Sequence, residues 1–112
     1  MTMGQSEDRP FSLDDLNRII ENRRAATSEK SYTRMLLDKG AVHCGKKFGE
    51  EAVEFVIATT QGDTAAMTAE AADVIYHLLV ALQAANLPLQ DVLNELQRRT
   101  GMSGHAEKAA RG

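Results

Sequence analysis

The stretch FGEEAVEFVIATTQGDTAAMTAEAAD, residues 48–73, predicts two helices joined by a tight turn. Residues at helical spacing that share one face of the first helix are Cys44, Phe48, Ala52, Phe55, Val56 and Thr59. Gly62 ends this pattern, and either Asp63 or Thr64 can cap a second helix. Because the connection is short, we expect the two helices to pack antiparallel as a hairpin.

Acidic residues occupy matched positions on the two helices of this hairpin. Glu51 and Glu54 are three residues apart before the turn, and Glu70 and Asp73 are three residues apart after it. Residues three apart lie on one face of a helix, and both pairs stand at similar distances from the turn. Glu50, four residues before Glu54, shares the edge of the first face. The spacing therefore predicts that four carboxylates face one another.

The predicted carboxylate cluster points to a cation. Four like charges held close together repel strongly, so such a cluster is seldom kept without a counter-ion. Carboxylate oxygens are hard ligands that suit Mg²⁺ or, as an alternative, Mn²⁺. No sulfur ligand accompanies them, which argues against structural zinc, and the Glu-x-x-His pattern of ferritin-like di-iron proteins is missing. Two ordinary solvated helix faces remain the plainer alternative at this point.

Helical patterns also account for the rest of the chain. The predicted helices cover residues 13–26, 32–39, 41–61, 64–85 and 89–99. Ser12 and Ser31 are good helix caps, and Pro88 stands in a turn because it cannot continue a helix. We expect an all-α protein, a compact helical bundle of about four to five helices. Its organisation is a polar N-terminal segment over 1–10, a single domain over 11–100 and a C-terminal tail over 101–112.

Composition excludes several classes of function. The chain has 112 residues, of which 43% are hydrophobic and 4% aromatic, with a net charge of −3. An acidic chain without Trp is not expected to bind nucleic acid. One Cys, no N-terminal apolar segment and no apolar run near the ~20 residues of a membrane span together predict a cytoplasmic protein without a membrane partner. The small, aromatic-poor core favours an oligomer.

Basic residues lead into the acidic pattern. If the helix continues through Gly40, one face carries Lys39, His43, Lys46 and Lys47 before the carboxylates begin. Such a face suits a metal-bound polyphosphate, since cations bind phosphate oxygens while carboxylates hold the metal. Tyr32 and Arg34 are in position to contact a phosphate or a base, or simply to cover the edge of the core. For the lysines alone, a solvated face is the alternative.

These motifs together resemble the phosphoribosyl-ATP pyrophosphatase family of histidine biosynthesis, within the all-α nucleoside-triphosphate pyrophosphohydrolase (MazG-like) superfamily. Residues 50–54, EEAVE, and 70–73, EAAD, are similar to the superfamily pattern Glu-Glu-x-x-Glu, spacer, Glu-x-x-Asp. Flanking segments that look like the family's are Ser31-Tyr32-Thr33, Lys47-Phe48-Gly49, Val74-Ile75-Tyr76-His77, Ser103-Gly104 and Glu107-Lys108-Ala109. The segment Cys44-Gly45-Lys46 departs from the family's pattern.

The resemblance implies hydrolysis of phosphoribosyl-ATP between its α and β phosphates, with phosphoribosyl-AMP and pyrophosphate as products. It implies Mg²⁺ ligands at Glu51, Glu54, Glu70 and Asp73. Glu50 would orient or deprotonate the attacking water, and the phosphates would be held by Lys39, Lys46 and Lys47. It also implies a helical homodimer, or a higher even oligomer, and leaves open whether residues of one subunit complete the site of the other.

Two other functions are compatible with the same acidic pattern. A house-cleaning pyrophosphatase acting on free (d)NTPs would use the same carboxylates, so they do not separate it from the family named above. A non-enzymatic helical interaction module is the alternative from another class. The family-like flanks over 31–40 and at the C-terminus favour phosphoribosyl-ATP as the substrate.

Overall fold

The structure is a computed structural model that describes residues 9–27 and 29–101. Within those ranges every regular element is an α-helix and no strand occurs. The helices are α1 (Leu13–Arg23), α2 (Tyr32–Lys39), α3 (Ala41–Gln61), α4 (Thr64–Ala84) and α5 (Leu89–Thr100). The prediction of an all-α bundle is confirmed. The predicted N-terminal segment and C-terminal tail lie almost wholly outside the described residues, as do the family-like segments from Ser103 onward.

Side-chain caps explain where three of these helices begin. Ser12 and Asp15 form a capping box at α1, in which the Asp15 N–H donates to Ser12 Oγ at 3.1 Å and the Ser12 N–H donates to Asp15 Oδ2 at 3.0 Å. Ser31 caps α2 by accepting from the Arg34 N–H. At α4 the cap is Asp63, whose Oδ1 accepts a backbone N–H at 3.0 Å. Each cap satisfies a backbone donor that has no partner inside its helix.

Helix α1 ends at Arg23, three residues before the predicted end at residue 26. The Ala26 N–H bonds to the Arg23 carbonyl, three residues back, so the chain has left the α-helical ladder there. From α2, the Arg34 guanidinium donates to the carbonyls of Arg24 and Ala26. These side-chain contacts satisfy carbonyls just beyond the end of α1, a tertiary effect that local helix propensity does not show.

A break at Gly40 separates α2 from α3. The Gly40 N–H bonds to the Leu37 carbonyl at the end of α2, and the Gly40 carbonyl accepts from the Cys44 N–H at the start of α3. Its φ of +93° lies in a region that residues with a side chain rarely adopt. The helix therefore does not continue through Gly40. The predicted single basic face is wrong to that extent, because Lys39 belongs to α2 and not to the helix of the other three basic residues.

The α3–α4 hairpin is the central unit of the fold, as predicted. Gly62 ends α3 in the left-handed conformation, with φ of +68°, and its N–H bonds to the Thr59 carbonyl. Asp63 then starts α4 directly, so the two long helices run antiparallel along each other. This arrangement places side chains at equal distances from Gly62 opposite one another.

The buried core lies at the end of the hairpin remote from Gly62. Its members are Ile20, Leu36, Cys44, Leu79, Val80 and Leu89. The Cys44 thiol donates to the Leu36 carbonyl at 3.1 Å, and burial raises the pKa of this thiol. Nearer the turn, the face of α3 that begins with Cys44 is only partly buried in the single chain, since Val56 is 56% exposed and Thr59 is exposed too.

Helix α4 also corrects the expectation about membrane spans. Among the described residues it is one helix long and apolar enough to cross a bilayer by length and composition alone. That is weak evidence for a span, because the core helix of a soluble bundle meets the same criteria. The helix also carries the carboxylates of Glu70 and Asp73 and packs along α3.

Candidate metal and phosphate site

Three of the predicted carboxylates converge across the hairpin. One oxygen from each of Glu51, Glu70 and Asp73 lies within 4.8 Å of the other two. Glu51 and Asp73 both stand 11 residues from Gly62, which places them opposite each other on antiparallel helices. Glu54 and Glu70 both stand 8 residues from Gly62, but Glu54 remains exposed and outside the tight group.

The cluster is electrostatically strained in the metal-free protein. The pKa of Glu70 is raised above its usual value, first by partial burial and then by the negative charges of Asp73, Glu51 and Glu54. Glu54 therefore acts on the cluster through its charge even though it is not one of the three converging groups. A carboxylate whose ionised form is disfavoured in this way is stabilised when a cation binds beside it.

The donor set fits a divalent cation of the oxygen-binding type. Three carboxylates from two rigid helices offer up to six oxygen atoms in one place, and hard cations prefer such ligands. Within the described residues, no His or Cys belongs to the group, which does not favour zinc or a softer metal. Remaining coordination positions would be open to phosphate oxygens or water.

The predicted basic residues are placed unequally around these carboxylates. Lys47, half-buried, has its Nζ 3.5 Å from Glu51 Oε2 and 3.6 Å from Glu50 Oε1. Lys46 and Lys39 are exposed, on α3 and α2 respectively. Glu50, predicted to act on the attacking water, is exposed at the edge of the cluster. The contact of Lys47 with Glu51 was missed at the sequence level, although their i, i+4 spacing signals it.

A wall of aromatic side chains stands beside Lys47. Tyr32 stacks on Tyr76 with ring centroids 6.4 Å apart, and both rings meet the edge or face of His77. The hydroxyl groups of Thr33 and Tyr76 are hydrogen-bonded at 2.5 Å. The Thr33–Tyr76 contact has no signal in the sequence, since no spacing rule relates residues 43 positions apart.

His77 packs inside this wall. It is 6% exposed, and its Nδ1 lies 2.8 Å from the carbonyl of Asp73. That carbonyl only accepts, so Nδ1 carries the hydrogen. Its Nε2 is buried without a hydrogen-bond partner in the described part of the chain. The histidine thereby ties the helical turn that carries Asp73 to the aromatic wall.

The structure does not bring Arg34 to the carboxylates. Its guanidinium donates to Asp38 Oδ1 at 2.8 Å and to the carbonyls of Arg24 and Ala26. These bonds hold the connection after α1 against α2. The predicted contact of Arg34 with substrate therefore competes with the internal bonds that its Nε and Nη1 make.

A cavity of about 360 Å³ lies apart from the carboxylate cluster, where α1 meets the α4–α5 connection. Its lining includes Arg24, Gln83 and Asn86, and none of the predicted site residues. The Gln83 amide is already bonded to Asn17 and accepts from Arg24. The cavity is therefore lined in part by a local polar network and lies apart from the candidate site.

Together, the fold and the site define the class: an all-α hairpin protein with a carboxylate cluster suited to a divalent cation. Residues 13–100 match the family described as phosphoribosyl-ATP pyrophosphohydrolase. The chain is 55% identical over 101 residues to "Phosphoribosyl-ATP pyrophosphatase 1" of Bradyrhizobium diazoefficiens, covering 90% of this chain and 95% of that protein. Similar relatives named phosphoribosyl-ATP pyrophosphatase come from Methylobacterium nodulans and Agrobacterium fabrum, each 54% identical with coverage of 90% and 94%.

The chain belongs to the phosphoribosyl-ATP pyrophosphohydrolase family. It is an enzyme, and the resemblance noted from its motifs is confirmed. The alternative of a non-enzymatic interaction module is set aside by this membership.

Proposed function

We propose that this chain hydrolyses phosphoribosyl-ATP to phosphoribosyl-AMP and pyrophosphate with Mg²⁺, as the second step of histidine biosynthesis in the cytoplasm. The observation that carries the proposal is the convergence of Glu51, Glu70 and Asp73 in a chain of this family. The names of the relatives supply the substrate, and the carboxylate chemistry supplies the preference for Mg²⁺, with Mn²⁺ as a substitute.

Each residue of the site has a role that follows from its place. Glu51, Glu70 and Asp73 would hold the cation, with Glu54 contributing charge or a further ligand at the exposed edge. A bound divalent cation would neutralise negative charge on the phosphates and polarise the phosphoryl group under attack. Lys47, with Lys46 and Lys39 farther out, would bind the remaining phosphate oxygens.

Glu50 is proposed as the residue that acts on water. As an exposed carboxylate at the edge of the cluster, it is in position to accept a proton from a water molecule that approaches the phosphates. The water oxygen bonds to phosphorus, the bridging bond between the α and β phosphates breaks, and pyrophosphate leaves. The proton accepted by Glu50 then returns to solvent.

The test measures pyrophosphate release from phosphoribosyl-ATP with Mg²⁺, then with EDTA, for wild type and Glu54→Ala. We expect activity in wild type with Mg²⁺, loss of that activity in EDTA, and a large reduction in the variant. Activity that survives EDTA would contradict the metal-dependent mechanism. A panel of free dNTPs is the matched control, and faster turnover of those than of phosphoribosyl-ATP would replace the proposal by the house-cleaning alternative.

We further propose that two copies of the chain form a homodimer through the hairpin. Large apolar side chains left substantially exposed on α3 and α4 are Val42, Val53, Val56, Ile57, Ile75 and Leu78. Such a set on one hairpin is typical of a surface that a partner covers. Sedimentation equilibrium should give 24.4 kDa, twice the chain mass of 12.2 kDa, and a monomer at micromolar concentration would contradict the dimer.

A further inference from the structure

One positive charge already lies among the carboxylates of the metal-free protein. Lys47 Nζ is 3.5 Å from Glu51 Oε2, and Glu51 is one of the three converging groups. The second contact, to Glu50, is 3.6 Å long. Both distances exceed the length of about 2.7–2.9 Å that is typical of a charge-assisted hydrogen bond. Lys47 therefore balances the cluster as a loose ion pair.

The electrostatic environment of Lys47 extends beyond its own helix. The pKa of Lys47 is raised above its usual value, first by the charge interaction with Tyr32; burial, the next cause, lowers the pKa, and Glu51 and Glu50 raise it further. Tyr32 in turn packs on Tyr76 and His77. The ammonium group thus stays protonated at neutral pH and lies close to the carboxylates of both Glu51 and Glu50.

The charges decide what happens when a divalent cation binds. Glu51, Glu70 and Asp73 carry −3, and Lys47 reduces the sum to −2 (−3 + 1). A cation held by Glu51 would lie within several ångströms of the Lys47 ammonium, and the two would repel each other. Since Lys47 is attached to a flexible stem and is only loosely paired, it is the group that moves.

We infer that Lys47 is the internal counter-cation of the metal-free carboxylate cluster, displaced from Glu51 by the divalent cation and thereby released toward the phosphates. This inference rests on the metal site of the proposed function. It adds an order of binding, in which the metal binds before the polyphosphate. Lys47 thus lowers the affinity for the metal and raises the affinity for pyrophosphate once the metal is bound.

The experiment titrates Mn²⁺ alone into the metal-free protein by calorimetry, for wild type, Lys47→Met and Lys47→Arg. Removal of the charge should tighten Mn²⁺ binding about threefold to thirtyfold, whereas Lys47→Arg should keep the wild-type Kd within about twofold. In saturating Mn²⁺, pyrophosphate should then bind Lys47→Met several-fold more weakly than wild type. Neither measurement depends on catalytic turnover.

Lys46→Met is the matched control, because it removes the same charge from the neighbouring position of α3 on an exposed side chain. We expect its Mn²⁺ affinity to remain near that of wild type. An equal gain in Lys46→Met and Lys47→Met, or no gain in Lys47→Met, would overturn the inference while leaving the metal site intact. Failure of wild type to bind Mn²⁺ would overturn both the inference and the proposed function.

Discussion

Replacing Glu70 by glutamine should reduce the rate of phosphoribosyl-ATP hydrolysis about 10²–10³-fold, because a lost metal ligand removes several kcal/mol of transition-state stabilisation. The same change should raise the melting temperature of the metal-free protein at neutral pH. The reason is the raised pKa of Glu70, which reflects partial burial and repulsion from Asp73, Glu51 and Glu54. Activity and stability should therefore change in opposite directions.

The stability gain of Glu70→Gln should depend on pH in a defined way. A carboxyl group with a raised folded-state pKa stabilises the fold when it is protonated, and that contribution is lost as pH rises through the raised pKa. Below pH 4.5, the usual pKa of a glutamate, the melting temperature of the variant should therefore be close to that of wild type. At neutral pH the variant should melt at a higher temperature than wild type. Melting curves in EDTA at fixed protein concentration measure this difference.

Glu21→Gln is the control for Glu70→Gln, since it removes one exposed carboxylate of α1 outside the cluster. It should change neither the rate nor the melting temperature appreciably. If Glu70→Gln lowered the melting temperature at neutral pH, the description of the cluster as electrostatically strained would be wrong.

Truncation of Leu79 to alanine should destabilise the protein by about 2–5 kcal/mol, the usual range for a buried leucine. Leu79 is 1% exposed and belongs to the core that joins α1, α2, α3 and α4. The free energy of unfolding of a small domain is only about 5–15 kcal/mol in total. The variant should therefore melt more than about 10 °C below wild type. Thermal unfolding followed by circular dichroism is the measurement.

Leu96→Ala provides the matched comparison, because Leu96 is 49% exposed on α5. The same atoms are removed, yet little packing is lost, and the expected change is below about 1 kcal/mol. Equal destabilisation by the two substitutions would contradict the placement of the core at the end of the hairpin remote from Gly62.

Most helix boundaries were predictable from local signals. The bounds of α2 and α3 agree with the prediction, and α4 and α5 differ from it by one residue each. Caps and turn glycines determine such ends locally, as Ser31 and Gly62 illustrate. Helix α1 is the exception, because Arg34 binds carbonyls beyond its end from another helix.

For the candidate site, the sequence by itself determined the inventory and the spacing of the carboxylates. Glu51 and Glu54 precede Gly62 by the same numbers of residues as Asp73 and Glu70 follow it, so a tight antiparallel hairpin has to bring them near one another. This part of the site depends on helical periodicity and one turn, which are local properties of the chain.

Only the tertiary structure decided which charges meet. It separates Lys39 from the α3 lysines at Gly40, whose φ is positive, and it uses Arg34 to hold the connection after α1. The physical reason is that long side chains have many rotamers, and their choice depends on neighbours that are distant in sequence. Periodicity places a residue on a helix face, but packing against other helices selects its partner.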